Sequence, residues 1–489
     1  MKKLITHTLV AIAFLLIGMT LADTKIAETA LDAARSVRSA TIEVVGNSAG
    51  IETRTMVLAE NPEIIPRLME GGSFGGEYSV EAAQNMFGRT QGAIDDVLDK
   101  TSVVEVGPRS YLIRMPIVNA AFFVTDEGVV LVDTGMGPAG PAILKAIRSV
   151  TELPIHTIIY THGHVDHAYG TWAIMEAGET PEIIAHDALK PRFERYIRLR
   201  GSLAKYMSQP EEQLPSSADD LVWPTRYFSE RLEIEVGGEQ FVLQHHKGET
   251  DDQLYVWVPG RRALASADYY QGFLPNAGNG KRVQRHVEEW SFAMKEMAAL
   301  EPAILLPAHG EEITDTATIQ ENFLVLAETF DHITQHTVDG LNAGKRKDEI
   351  YRSVRLPEHL ATHPTLNVQY VTPNDISKML IKQYSGWWDD IPSNWTPATM
   401  EDQGEMIIEL AGGNVPAIVE YAQGLIGQDI RLASHLTDWL FYARPDDPSV
   451  QQLVYDVYKT RIMDPDTNTM EMLTYLDQMT AARERARSR

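Results

Sequence analysis

Thr161-His162-Gly163-His164-Val165-Asp166-His167 places three imidazoles and one carboxylate within a single short stretch. In an extended or turning backbone, residues two apart project to the same side. His162 and His164 can therefore face one point while Asp166 and His167 face a second. Imidazole nitrogen and carboxylate oxygen suit zinc, and also iron or manganese. A chance HxHxDH arrangement is expected on the order of once per thousand such chains, so metal binding is the reading that carries weight.

The flanks place this motif on a sheet. Upstream, Pro154-Ile155-His156-Thr157-Ile158-Ile159-Tyr160 is a β-branched, apolar run that predicts a buried strand. Downstream, Ala168 to Met175 reads as a helix start. A ligand site where a strand's carboxyl end meets a helix is the usual arrangement in open α/β sheets.

The chain has 489 residues, enough for two or three domains, and a hydrophobic fraction of 44%, normal for a globular protein. The formal net charge of -25 repels phosphate backbones and anionic headgroups. Nucleic acid is excluded as a natural partner, and an anionic substrate would need a local cationic pocket. Lys2 and Lys3, the apolar run Leu9 to Met19, and Thr20-Leu21-Ala22 resemble an export signal cleaved after Ala22. The expectation is a periplasmic or secreted protein without stable membrane insertion. There is no cysteine, so disulfides, thiolate ligands and cysteine nucleophiles are excluded.

After a signal peptide at 1–22, residues 23–100 read as an acidic lead-in; Glu81 to Leu98 could be helical, weakened by Gly88 and Gly92. Strand candidates follow at Ser110–Arg114, Ala121–Val124 and Gly128–Val132, with Asp133 closing the third. A helix is expected over Pro138–Val150, a strand over Glu182–Ala185, and a basic helical stretch from Leu189 to Met207. Leu232–Leu243, Leu254–Val258, Ala263–Ala265 and Ile304–Leu306 read as further strands. Strands followed by alternating strand and helix predict a layered α/β domain over 101–335. Residues 336–489 carry helical stripes, among them Met406, Ile407 and Leu410, then Ile418, Val419 and Ala422. Asn414 and Pro416 mark the start of the second.

Asp133 after a strand, the histidine motif, and Pro307-Ala308-His309-Gly310 together resemble the metallo-β-lactamase superfamily of hydrolases. In that superfamily a further histidine usually sits in a Gly-His-Thr segment; here Gly248-Glu249-Thr250 puts glutamate in its place, as in the alkylsulfatase branch. His359 to Pro364, Tyr384 to Asp389 and Glu409 to Gly413 are similar to that branch's helical dimerisation domain. The resemblance implies an αββα sandwich followed by an all-helical dimerisation domain, and a homodimer.

Carried onto this chain, the resemblance implies two divalent metal ions, with zinc the expected ion. One would be held by His162, His164 and Glu249, the other by Asp166, His167 and His309, with Asp268 as a bridge. Asp166 and Asp268 would balance charge, and Asp268 could alternatively handle protons. The branch usually has glutamate at the bridging place, and its Asn-Thr pattern is replaced here by Tyr269-Tyr270-Gln271, with Asn276 where a later asparagine would fall. A sterol-carrier-like third domain of the branch is not recognisable.

A sulfate ester also needs cationic contacts. Lys281, Arg282, Arg285 and His286 cluster after the Gly-rich Asn276-Ala277-Gly278-Asn279-Gly280. In the resembling enzymes an arginine pair in this region grips sulfate; Lys281 or Arg282 takes the first place and Arg285 the second. The alternative is a solvated basic helix face. His363 reads either as a proton donor or as a packed histidine. His186 reads as a cap or packing residue, and Trp387, Trp388 and Trp395 as interface or core.

The expected function is an exported dinuclear hydrolase that releases alcohol and inorganic sulfate from alkyl sulfates through a metal-activated water. Two alternatives stand beside it: hydrolysis of a phosphoester or lactone on the same scaffold, and a non-catalytic metal-binding assembly protein.

Overall fold

A computed structural model describes residues 49–70 and 79–487; the expected signal peptide lies outside these. Among the described residues, no helix is long and apolar enough to cross a membrane. They form two compact units, one of 79–386 and one joining 49–70 to 387–487.

The larger unit is built on two sheets. The first has seven strands in sequence order, β1 (Ser102–Gly107), β2 (Ser110–Arg114), β3 (Asn119–Val124), β4 (Val129–Val132), β5 (Ile155–Ile159), β6 (Glu182–His186) and β7 (Arg226–Phe228). Strands β1 to β4 pair antiparallel and β4 to β7 parallel. The second sheet runs β12-β11-β10-β9-β8, from β8 (Arg231–Val236), β9 (Glu239–His245), β10 (Leu254–Val258), β11 (Ala263–Ala267) and β12 (Ile304–Pro307).

The two sheets pack face to face because their alternate residues are apolar on the inner side. Leu112, Phe123, Val130, Val132 and Ile159 of the first sheet meet Phe241, Leu243, Val256 and Leu306 of the second. The opposite face of the first sheet is apolar too: Phe122, Leu131 and Ile158 bury against Ala142, Ile143 and Ile147 of the helix Gly140–Arg148. β3 and β4 are thus buried on both faces, as parallel and central strands of layered folds are. Each such phenylalanine or leucine contributes about 1.5–3 kcal/mol of burial. On the outside of the second sheet, Trp290 of the helix Val287–Ala299 is fully buried and donates its indole N–H to the Tyr269 carbonyl at 3.0 Å. The result is the αββα sandwich expected from the sequence.

Four local readings differ. Leu232–Leu243 is not one strand but a hairpin: Gly237 and Gly238 take φ of 58° and 77°, the left-handed pair that a tight two-residue turn requires. Residues 281–286 form a loop rather than a helix face, the helix beginning at Val287. The long helix Thr316–Asn342 crosses the expected domain boundary at 335, because its apolar stripe (Ile319, Phe323, Leu326, Phe330) is buried in the sandwich unit, with Phe330 against Trp290. The expected helix around Glu81 to Leu98 splits into Val80–Gln84 and Gln91–Asp99 on either side of Gly88.

The smaller unit is all helical. Val57 and Ile64 from the early segment share one core with Ile418, Leu440, Leu453, Val457, Leu476 and Met479. Arg54 pairs with Asp477 at 3.0 Å, and Arg67 donates to the carbonyls of Asp464, Pro465 and Thr467. Part of the expected lead-in is therefore a component of the helical unit. Asn414 caps Val415–Leu425 as its sequence predicts, accepting the Ala417 amide.

Candidate metal centre

The motif loop starts where β5 ends, and Asp133 sits where β4 ends. In the second sheet β9 and β11 are each antiparallel to β10, and β12 is parallel to β11, so β9, β11 and β12 share a direction. Glu249, Asp268 and His309 each follow one of those three strands. Hydrogen bonds join this edge across the sandwich: the Leu254 amide donates to the Thr161 carbonyl at 2.9 Å, and the side-chain amide of Asn119, opening β3, donates to the carbonyls of Pro307 and Gly310.

The topology thus gathers two donor groups. His162, His164, Glu249 and Asp268 offer ligand atoms within 4.8 Å of one another, and so do Asp166, His167 and His309. Asp268 faces both. Its Oδ2 lies 3.8 Å from His162 Nε2, and its Oδ1 lies 3.3 Å from Nε2 of both His167 and His309. Asp166 Oδ2 lies 3.7 Å from the same two nitrogens, and His164 Nδ1 lies 3.9 Å from Glu249 Oε2.

The imidazoles are oriented from behind. His167 Nδ1–H donates to Asp133 at 2.8 Å, and His309 Nδ1–H donates to the Ile117 carbonyl at 2.7 Å, which leaves each Nε2 facing the cluster. Ile117 holds φ 74°, a strained value for a β-branched residue. Buried orphan atoms then test the fit of a cation. His167 Nε2 and Asp268 Oδ1 are both buried without a hydrogen-bond partner, although such atoms are normally satisfied. Three carboxylates and four imidazoles converging with orphaned ligand atoms fit divalent metal.

The electrostatics agree. Burial, with the charge of His167, holds His162 well below the usual imidazole range, and burial with His162 does the same to His164. Both stay neutral, as ligands must. Burial opposes protonation of His167 and His309 as well, but Asp268 and Asp166 outweigh it and raise both. Burial pushes the Glu249 carboxyl up to about 8 against the pull of Arg285, with Asp268 adding to the rise. Asp268 is held well below the carboxylate range: burial resists, and His309 and His167 prevail.

The expected substrate contacts divide. Asn276 Nδ2 reaches Glu249 Oε1 at 3.3 Å and its Oδ1 is buried without a partner. Arg285 is fully buried and its fork closes on Glu249. Lys281 and Arg282 are half-buried in the preceding loop, and Arg282 bears on Arg285 by its charge. His363 accepts the Thr365 amide and stands 3.6 Å from Glu321, neither of which belongs to the donor groups. His186 packs, stacking on His245 with centroids 3.6 Å apart. Trp387 and Trp395 are exposed rather than core, stacked on each other in the helical unit. Sequence reading missed Arg192, whose Nε donates to Asp252 at 3.0 Å while Asp252 accepts the Gly163 amide at 2.7 Å inside the motif. The carbonyl of Ile117 was missed as well. Neither has a local signature.

Two face-to-face sheets with this donor set at their common edge define a metal-binding αββα sandwich of the hydrolase type. Residues 114–309 match the metallo-beta-lactamase superfamily, and residues 346–484 match the alkyl sulfatase dimerisation domain. It is similar to the linear primary-alkylsulfatase of Pseudomonas sp., 24% identical over 348 residues that make up 66% of either chain. It is also similar to the alkyl/aryl-sulfatase BDS1 of Saccharomyces cerevisiae, 22% identical over 63% of this chain and 52% of that one. The chain spans between about half and two thirds of the curated relatives it matches. The solved structure of the stereoselective inverting sec-alkylsulfatase Pisa1 from Pseudomonas sp. shares its fold, with a TM-score of 0.68 at 18% identity over 90% of this chain and 78% of that one.

Proposed function

We propose that this protein is an exported, dinuclear metal-dependent hydrolase that cleaves alkyl sulfate esters to alcohol and inorganic sulfate. The observation that carries the reading is Asp268, whose two oxygens face separate donor groups. The alkylsulfatase names of the relatives and the dimerisation domain support the substrate class. His162, His164 and Glu249 would hold one ion, Asp166, His167 and His309 the other, and Asp268 would touch both; zinc suits the nitrogen-rich set. Bound there, divalent ions lower the pKa of water and draw charge off an ester oxygen.

The chain's own residues do the rest. Asp133 and the Ile117 carbonyl keep the Nδ1 protons of His167 and His309 in place, so both rings present a lone pair. Asp252, held by Arg192, fixes the Gly163 amide and with it the turn between His162 and His164. Arg282 and Lys281 stand in the loop leading to Arg285 and supply positive charge for an anionic ester.

A homodimer formed through the helical unit is part of the proposal. It is supported by the dimerisation-domain match and by the exposed Met406, Leu410, Tyr421 and Leu432. Export is part of the proposal as well, supported by the signal-like run from Lys2 to Ala22.

The test is sulfate release from a series of primary and secondary alkyl sulfates, run beside aryl phosphates and lactones, with metal content measured on the same preparation. Turnover confined to phosphates or lactones would replace the sulfatase reading; bound metal without turnover of any ester would leave an assembly protein. Hydrolysis in isotopically labelled water then locates the bond that breaks.

A further inference from the structure

Arg285 has no exposure to solvent, and both terminal nitrogens of its guanidinium act on one residue. Nη2 donates to Glu249 Oε1 at 2.7 Å, and Nη1 donates to the Glu249 backbone carbonyl. The remaining nitrogen, Nε, is buried without a partner. The neighbouring backbone extends the grip: the His286 amide donates to the Gly248 carbonyl at 3.0 Å, and the His286 ring meets Asp251 at 2.6 Å. Residues 285–286 are therefore a strap across the loop 248–251.

The strap decides which oxygen of Glu249 is turned towards His164. Oε1 is taken by Arg285 and by the Asn276 amide at 3.3 Å. Oε2 receives the long contact from Gln271 at 3.5 Å, and it is the oxygen that faces His164. A fork that holds a carboxylate and the same residue's carbonyl sets both side-chain angle and backbone, which a single point charge does not. A buried carboxylate beside Asp268 also needs a compensating cation, since removal of one partner of a buried pair leaves an uncompensated charge.

We propose that Arg285 is a positioning residue for Glu249, clamping it so that Oε2 is presented to the metal, and is not a contact to the substrate. This rests on Glu249 serving as a ligand, as proposed above. A sulfate-gripping arginine needs donors that face the ester, whereas Arg285 is fully buried and directs an N–H from each terminal nitrogen to Glu249.

The experiment is a zinc titration of the metal-stripped full chain against a competing chelating dye. Variants are R285M, R285K, E249H and the pair E249H/R285M, with KM and kcat measured on an alkyl sulfate. R285M is expected to weaken zinc binding by about 10- to 100-fold, the usual effect of removing a group that orients a ligand, and R285K to recover part of it. In the E249H background the same R285M change is expected to leave zinc binding unchanged or tighter, because no carboxylate remains to clamp. Should R285M not fold, the comparison of E249H with E249H/R285M carries the test, since that pair leaves no unpaired glutamate behind. Wild-type zinc affinity in R285M together with a raised KM would overturn the proposal, and so would an equal loss of zinc affinity from R285M in both backgrounds. A wild-type protein that takes up no zinc or other transition metal would instead overturn the metal reading itself.

Discussion

The Asp133 carboxylate takes the Nδ1 proton of His167 at 2.8 Å and, through its other oxygen, the Thr161 amide at 2.7 Å. One side chain at the end of β4 thus fixes both a ring of the motif and the backbone that opens it. Asp133 adopts φ 65° to do so, a conformation that aspartate tolerates better than most residues. Asp133→Asn keeps the shape and removes the charge. Metal affinity is expected to fall about 10- to 100-fold while the fold is retained. A competition titration with circular dichroism on the same samples checks this; unchanged affinity would remove Asp133 from the account.

Asp268 faces both donor groups, so its loss should not act like the loss of an ordinary ligand. Asp268→Ala is expected to lower the amount of metal bound at both groups and to reduce hydrolysis by about three orders of magnitude, several kcal/mol of lost charge stabilisation. His164→Ala, by contrast, removes a ligand from one group alone. Metal stoichiometry by elemental analysis separates the two. Equal stoichiometry in both variants would refute the bridging role.

Gly170 lies against the back of the motif. A Cβ there would stand 2.0 Å from the Thr134 carbonyl oxygen, a backbone atom that cannot swing aside. Thr134 donates its amide to the His167 carbonyl, so the seam that would have to open is the one that seats the motif. Gly170→Ala is expected to cost about 1–3 kcal/mol of stability, the usual price of overpacking, and to weaken metal binding with it. Denaturant unfolding of the metal-free protein gives the first figure and zinc titration the second. A variant as stable as wild type would show that the seam yields more easily than its geometry implies.

These cases mark what could be read from the chain. His162 to His167 is local, and its spacing alone announces a site. Glu249, Asp268 and His309 reach it only through the order of strands in the second sheet, and they were named through a resemblance rather than from spacing. Arg192, the Ile117 carbonyl and the close approach at Gly170 leave no mark in composition or periodicity, because backbone angles and cross-sheet distances decide them. Gly237-Gly238 did carry a turn signal, but alternating apolar residues on either side made Leu232–Leu243 look continuous. The helix Thr316–Asn342 runs through the limit expected near 335 for a related reason: a helical stripe tells that a helix is buried, not which core buries it.

His245 provides a test in a part of the fold outside the two donor groups. Its ring stacks on His186 at 3.6 Å and donates Nδ1–H to the Gln253 carbonyl at 2.8 Å. His186 accepts the Ala188 amide at Nδ1 and donates from Nε2 to the Ser229 carbonyl. Burial, then the charges of His186 and, less strongly, His246, press the His245 pKa down to about 4, against the Gln253 carbonyl and Asp252. An unfolded chain takes up a proton near the ordinary histidine value of about 6.5, which the folded chain refuses until pH 4. The stability associated with this ring is therefore complete above pH 6.5 and is lost as the pH falls from there towards 4. His245→Gln keeps a donor for the Gln253 carbonyl and removes the titration. Its melting temperature is expected to drop less between pH 7 and pH 4.5 than that of the wild type, measured on metal-free protein so that ligand protonation at the cluster is the same in both. Parallel acid limbs for the two proteins would mean that the stacked pair takes up its proton without cost.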